Sequence, residues 1–114
     1  MNIHVIKHTS NWGETIRTHH MESRGLAFYN SYFYPNLPKD IYFSDLHVSI
    51  DWRKKGLGQL MLNHHLNSAL LNGFEFSYLW VDKNSFQENW YKKNGYEFYK
   101  EKDEFQNWLF KKLV

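Results

Sequence analysis

The sequence predicts an α+β fold: a mixed, mostly antiparallel sheet built around one central βαβ unit. Three observations carry this. The first is one long helical run, residues 57–71, with apolar residues at 57, 60, 61, 62, 66, 69, 70 and 71. That is a wide stripe, as for a helix lying on a sheet. The second is a strand-like run on each side of it, 41–49 before and 74–81 after. Phe74-Glu75-Phe76-Ser77-Tyr78-Leu79-Trp80-Val81 is almost continuously apolar, which suits an interior strand in parallel pairing. Strand, helix and strand over about forty residues make one right-handed crossover. The third is that the remaining segments read mostly as short strands joined by turns.

In chain order, residues 3–8 alternate as a short strand with β-branched residues on both faces. Thr9-Ser10-Asn11-Trp12-Gly13 is a turn. Residues 15–21 are rich in Thr and His and poor in strong helix formers, so they read as a second strand. Asn11-Trp12-Gly13-Glu14 also fits a capping box that would open a helix there instead. Residues 25–34 form the third strand. Two prolines three apart, Pro35 and Pro38, make the next stretch a loop. Asn72-Gly73 ends the long helix. Ser85-Phe86-Gln87-Glu88 is a capping box for a short helix through Tyr91, closed by Asn94-Gly95 as a left-handed pair. Residues 96–100 and 105–110 form a C-terminal hairpin. Trp80 and Trp90 are expected in the core.

At 114 residues the chain is expected to form one domain, 1–114. Aromatic residues reach 19%, so much of the core must be Phe, Tyr and Trp. There is no cysteine, which excludes disulfides, thiolate metal sites and Cys nucleophiles. Fourteen basic against twelve acidic residues give +2, with the excess interspersed near the C-terminus. That balance argues against a nucleic-acid partner. No apolar run approaches membrane-spanning length and no signal peptide opens the sequence, so a soluble, cytoplasmic protein without a membrane partner is expected.

The chemistry is concentrated in Arg53-Lys54-Lys55-Gly56-Leu57-Gly58-Gln59, between the first βαβ strand and its helix. A diphosphate needs converging backbone N–H groups, a helix N-terminus and nearby cations. Gly56 and Gly58 allow close backbone approach, and Arg53, Lys54 and Lys55 supply charge. A P-loop would require a Gly-Lys-Ser/Thr end, which Gly58-Gln59-Leu60 is not. A dinucleotide fingerprint would require a third Gly where Met61 stands. Taken alone, the loop is as readily an ordinary strand-to-helix connection.

Arg53-x-x-Gly56-x-Gly58 after Leu46-x-Val48 resembles the acetyl-CoA pyrophosphate motif of the GNAT N-acetyltransferase superfamily. Asn84-x-x-Gln87-x-x-x-Tyr91-x-x-x-Gly95-Tyr96 resembles that superfamily's second signature, with Gln87 where Ala is usual and Tyr96 for Phe. The resemblance covers about residues 41–113. It implies a GNAT-type fold whose central parallel strands splay to admit the cofactor. It implies that the backbone of Leu46 and Val48 pairs with the pantetheine arm. Arg53, Lys54, Lys55, Gly56, Leu57, Gly58 and Gln59 would hold the pyrophosphate, and Asn84 the pantetheine side. Tyr91 would protonate the leaving thiolate. No metal is implied. The superfamily places two helices between its first two strands, and here the N-terminal region is shortened.

The implied activity is direct attack of a primary amine, on a small molecule or a protein, upon the acetyl-CoA thioester. Asp45 and His47, two apart on one face of their strand, are the candidates for the base. A non-catalytic acyl-CoA-binding or protein-interaction module on the same fold is the competing expectation. His19-His20 and His64-His65 are adjacent pairs that split across faces, which argues against a metal site. The aromatic run Tyr32-Phe33-Tyr34 would suit a homodimer contact.

Overall fold

The computed structural model describes residues 3–9, 15–21, 27–50, 53 and 56–114, with the backbone alone for Thr18, His20 and Met21. The readings that involved Trp12, Gly25, Lys54 and Lys55 lie outside the described residues. The elements in order are β1 (Ile3–Thr9), β2 (Thr15–Met21), β3 (Ala27–Phe33), β4 (Asp40–Val48), α1 (Leu57–Leu71), β5 (Phe76–Asp82), α2 (Phe86–Lys93), β6 (Glu97–Glu101) and β7 (Gln106–Lys112). They build one seven-stranded sheet in the order β1-β2-β3-β4-β5-β7-β6. Every neighbouring pair is antiparallel except β4 and β5, the parallel pair of the βαβ unit.

Segment 15–21 is a strand, so its β-branched and His-rich character prevails over the alternative helical reading. Ile3 pairs with Met21 and Thr9 with Thr15. Only residues 10–14 separate the two strands, too few for a pair of helices.

Both helices lie on one face of the sheet, because Leu57, Met61 and Leu62 of α1 share one core with Tyr91 of α2. Phe43, Leu79 and Leu109 supply the sheet side of that core. The buried positions of α1 are Leu57, Met61, Leu62, His65 and Ala69. Leu60, Leu70 and Leu71 are exposed. The stripe therefore runs i, i+4, i+8, i+12 and includes a histidine that hydropathy would place outside.

His65 is accommodated because its Nε2 lies 2.8 Å from Ser77 Oγ, which lies 2.7 Å from the Tyr96 hydroxyl. A buried polar group is tolerated when it is paired. Nearby, His64 Nδ1 and the Tyr29 hydroxyl are hydrogen-bonded at 2.7 Å. His19 stacks on Tyr29 at 4.4 Å and meets the edge of His64 at 5.3 Å.

Among the described residues no helix covers the opposite face. Trp80, expected in the core, is 46% exposed there, with Lys102 Nζ 4.8 Å above its ring. An apolar run buries both faces only where both are layered over, and among the described residues this sheet has one layer of helices. Trp90 does pack against the core. Of the aromatic run, Phe33 lies under Arg17 and beside Phe74, and Tyr34 beside Tyr42.

Helix α2 starts at its Ser85 cap, with the reciprocal carboxylate bond one residue back, at Asn84 rather than at the Ser85 N–H. Ser85 Oγ accepts from the Glu88 N–H at 3.1 Å, and Glu88 Oε1 accepts from the Asn84 N–H at 3.3 Å. Such a cap is worth about 1 kcal/mol. At the other end Gly95 alone is left-handed, at φ 93, while Asn94 has φ −91. The expected left-handed pair is thus a single glycine, as a C′ position needs.

Candidate functional site

Strands β4 and β5 pair only at Asp40–Phe76, Ile41–Ser77 and Tyr42–Tyr78. Beyond Tyr42 and Tyr78 they part, β4 running on to Val48 and β5 to Asp82 without a ladder. The result is a V-shaped breach in the sheet. Helix α2 stands over it, with the Tyr91 ring 6.1 Å from Phe43 of β4.

A cavity of about 400 Å³ lies at the open end, between Val48 with Arg53, Gly56, Gly58 and Gln59 on one side and Phe86 with Trp90 on the other. A second, of about 220 Å³, lies between the end of β5 and Gln87 and Tyr91 of α2. Positions 86 and 90, and 87 and 91, are i, i+4 pairs, so α2 lines one cavity with each pair.

The loop at the first cavity fits an anion. Gly56 occupies the N-cap of α1 at φ 80, in the left-handed region that glycine adopts without strain. It offers no side-chain cap, and the first turn holds no acidic residue. Among the described residues no side chain accepts from the first-turn N–H groups of this fifteen-residue helix, and the helix dipole is positive at that end. Arg53 Nε donates to the Val48 carbonyl at 3.1 Å, which ties the loop to the end of β4. Its remaining guanidinium donors are available to a phosphate.

Gly58 is helical, and a Cβ there would meet only Val48 Cγ2, at 4.0 Å. Gly58→Ala should therefore raise stability by about 0.5–1 kcal/mol, the usual gain for Gly to Ala in a helix. The same methyl would enter the lining of the cavity, so if the loop is the pyrophosphate cradle that the sequence resemblance implies, acetyl-CoA affinity should fall. Thermal melting and calorimetry on one sample separate the two effects. A variant with raised stability and unchanged affinity would remove Gly58 from the cradle.

The other sequence candidates are distributed as follows. Leu46 and Val48 point their side chains toward the core. Leu57 is buried, so only its backbone is available to a ligand. Gln59 donates to Asn63 Oδ1 at 3.0 Å and Asn94 Oδ1 at 2.7 Å, clasping α1 to the C-terminal end of α2. Asn84 is left-handed at φ 59, exposed, and lines neither cavity.

Asp45 is left-handed too, at φ 55, and marks a β-bulge. Asn30 pairs with Ser44, but Phe28 with His47, a shift of one residue. The bulge reverses which side chains face the helices. Phe43 faces them before it, and Leu46 and Val48 after it. Asp45 is thereby turned to the uncovered face, where Asn30 Nδ2 and the Tyr32 hydroxyl donate to its Oδ2 at 2.9 and 3.1 Å. His47 is on that face as well, 5.2 Å from the Phe28 ring. The two share one face, as their spacing of two residues expects, and the bulge sets which face that is.

Tyr91 is buried, and burial raises its pKa above the usual phenol value. The hydroxyls of the other two buried tyrosines are bonded, Tyr29 to His64 and Tyr96 to Ser77. Among the described residues the Tyr91 hydroxyl has no such bond.

Sequence reasoning missed Phe86, Trp90 and Glu88. Phe86 is 79% exposed, and an apolar first helical residue beside another four positions on was a legible sign of a wall. Glu88 is buried and accepts from Asn107 Nδ2 at 3.0 Å. That bond, then those from Asn84 and Lys92, hold its pKa low against burial. It anchors the start of α2 over the breach. Among the described residues no group of three His, Asp or Glu is placed to hold a metal ion, and no helix is long and apolar enough to cross a membrane.

The same architecture occurs in solved structures. A GNAT-family acetyltransferase from Elizabethkingia anophelis, solved with acetyl-CoA bound, matches with TM-score 0.71 at 12% identity, over 97% of this chain and 98% of its own. A protein from Desulfovibrio desulfuricans assigned to the GNAT family matches with TM-score 0.75 at 10% identity, over 90% of this chain and 71% of its own. This chain has the GNAT fold. The PaiA N-acetyltransferase from Thermoplasma acidophilum, in complex with coenzyme A, matches with TM-score 0.70 at 19% identity, over 88% of this chain and 61% of its own. No family model and no curated protein matches the sequence. The GNAT fold expected from the loop and the Tyr91 segment is therefore the one observed, including the parting of β4 from β5.

Proposed function

We propose that the protein is an acetyl-CoA-dependent N-acetyltransferase that acts on a primary amine. The observation that carries this is the breach between β4 and β5, with a helix N-terminus that has no side-chain cap at its mouth and the Tyr91 ring beside Phe43 of β4. In this reading the first-turn N–H groups at Gly56 to Gln59, with Arg53, Lys54 and Lys55, hold the cofactor's pyrophosphate. The backbone of residues 46–48 pairs with the pantetheine arm, and Asn84 contacts its far side.

The amine attacks from the face opposite the helices. Its nitrogen forms a bond to the acetyl carbon, and the carbon–sulfur bond breaks. The Val48 N–H polarises the carbonyl as charge develops on its oxygen. Tyr91 gives its proton to the departing thiolate. The amine must lose a proton, and Asp45 or His47 accepts it on that same face. Burial keeps Tyr91 protonated across the neutral range, as a proton donor must be.

Calorimetry with acetyl-CoA, followed by thiol release with a panel of primary amines, tests this. Binding together with amine-dependent CoA release is expected. No binding at millimolar acetyl-CoA would refute the reading. Binding without release would favour the acyl-CoA-binding module instead.

A further inference from the structure

The uncovered face of the sheet carries a cavity of about 260 Å³ just below the apex of the breach. Its walls are aromatic. Tyr42 and Tyr78, the last residues of the parallel ladder, stack at 5.5 Å. Trp108 meets Tyr42 edge-on at 5.9 Å, and Tyr99 meets Tyr78 at 5.5 Å. Asp40 supplies a partly buried carboxylate at the base. After burial, its charge is the next cause of the raised pKa of both Tyr42 and Tyr78, so it lies close to both phenols. The adjacent Lys39 is paired with Glu75 at 3.1 Å, and among the described residues Asp40 itself has no salt bridge. Lys100 is the one cation on the wall among the described residues, its Nζ 5.2 Å from the Tyr99 ring centre.

Electron-rich ring faces around a carboxylate favour an organic cation over a neutral or anionic guest. Lys100 already makes one such contact from the rim. Resting on the proposed acetyl transfer, we propose that this cradle seats a second positive charge on the acceptor, making the acceptor class an elongated alkylamine with a distal ammonium. The position supports this. Tyr42 borders the breach, and Ser44, Asp45 and His47 continue along the same face toward its mouth. At about 3.3 Å per strand residue, Tyr42 lies roughly 10 Å from the Asp45 bulge where the amine would react. A molecule of that length spans from cradle to thioester without crossing the sheet.

The probes are a linear primary amine ended by a trimethylammonium group and its neutral isostere ended by tert-butyl. Calorimetry without cofactor is expected to give at least about tenfold tighter binding of the charged probe, a preference between those of exposed and fully desolvated cation–π sites. Asp40→Asn and Tyr99→Leu should each erase most of that preference while leaving acetyl-CoA affinity unchanged. Lys100→Ala should increase it, since a competing cation leaves the rim. Tyr99 is half-exposed, so its variant tests the cradle without opening the core. Equal affinity for the two probes, with either variant silent, overturns the cradle. Charge preference without CoA release refutes the acetyl transfer and leaves the cation site standing. CoA release without charge preference does the reverse.

Discussion

Tyr91→Phe is expected to lower the turnover of amine acetylation by about a hundredfold, the lower range for losing a general acid. Acetyl-CoA affinity should stay within about twofold, as for a change that deletes no packing. The ring is held by Phe43, Trp90 and Tyr96, at 6.1, 4.9 and 5.7 Å, and Phe keeps all three contacts. Only the hydroxyl is removed. Because that hydroxyl makes no bond to another described residue, its loss leaves no buried partner unsatisfied, and the melting temperature should barely move. A merely structural Tyr91 would give unchanged turnover. A binding residue would show equal losses in affinity and turnover. Turnover across a series of thiol leaving groups adds a check. If Tyr91 supplies the proton, the variant should be most impaired with the most basic thiolate.

The fold was legible because its signals are local. Residues 57–71 carry a helical stripe ended by Asn72-Gly73, and the helix runs Leu57–Leu71. The box Ser85 to Glu88 forms its Ser85 Oγ bond, while the Glu88 carboxylate reaches back to the Asn84 N–H. What was not legible depends on pairing across the sheet. The bulge at Asp45 arises from a register mismatch with β3, and nothing in the run Phe43-Ser44-Asp45-Leu46 announces it. Simple alternation would turn Asp45 inward with Phe43. Trp80 was expected inside because a strand with apolar residues on both faces looks doubly covered, and hydropathy cannot tell how many helices cover a sheet.

The loop of the candidate site was readable for a similar reason. Backbone approach and a helix N-terminus leave a residue-level mark in Gly56 and Gly58. The cradle of Tyr42, Tyr78, Tyr99 and Trp108 leaves none, since it draws on four strands and forms only when β7 inserts between β5 and β6. The histidine cluster is the same kind of feature. His19, His64 and His65 come from two elements 45 residues apart in the chain, and each was unremarkable alone.

That cluster sets the second large expectation, a steep loss of stability in mild acid. Burial lowers the His19 pKa to about 4, with the His64 and Arg17 charges adding to it. Burial lowers His65 to about 3, helped by His19 and His64. His64 is lowered by burial too. In the unfolded chain each returns toward about 6.5. Below that pH the unfolded state takes up protons that the folded state refuses. Stability is therefore full above about pH 6.5 and falls as the pH drops toward 4. For His19 and His65 together the slope approaches twice the single-proton value, about 3 kcal/mol per pH unit. Two pH units would then remove about 5 kcal/mol, comparable with the whole stability of a small domain. Thermal melting between pH 7 and 4.5 should show the decline, and His65→Gln should flatten it by about one proton. The depressed Glu88 carboxylate acts in a different window, because its contribution is lost only below about 4.5. A melting temperature level from pH 7 to 5 would mean that the three imidazoles are solvated or already charged in the folded protein, and would contradict the packing of His65 against Ser77 and His19 against Tyr29.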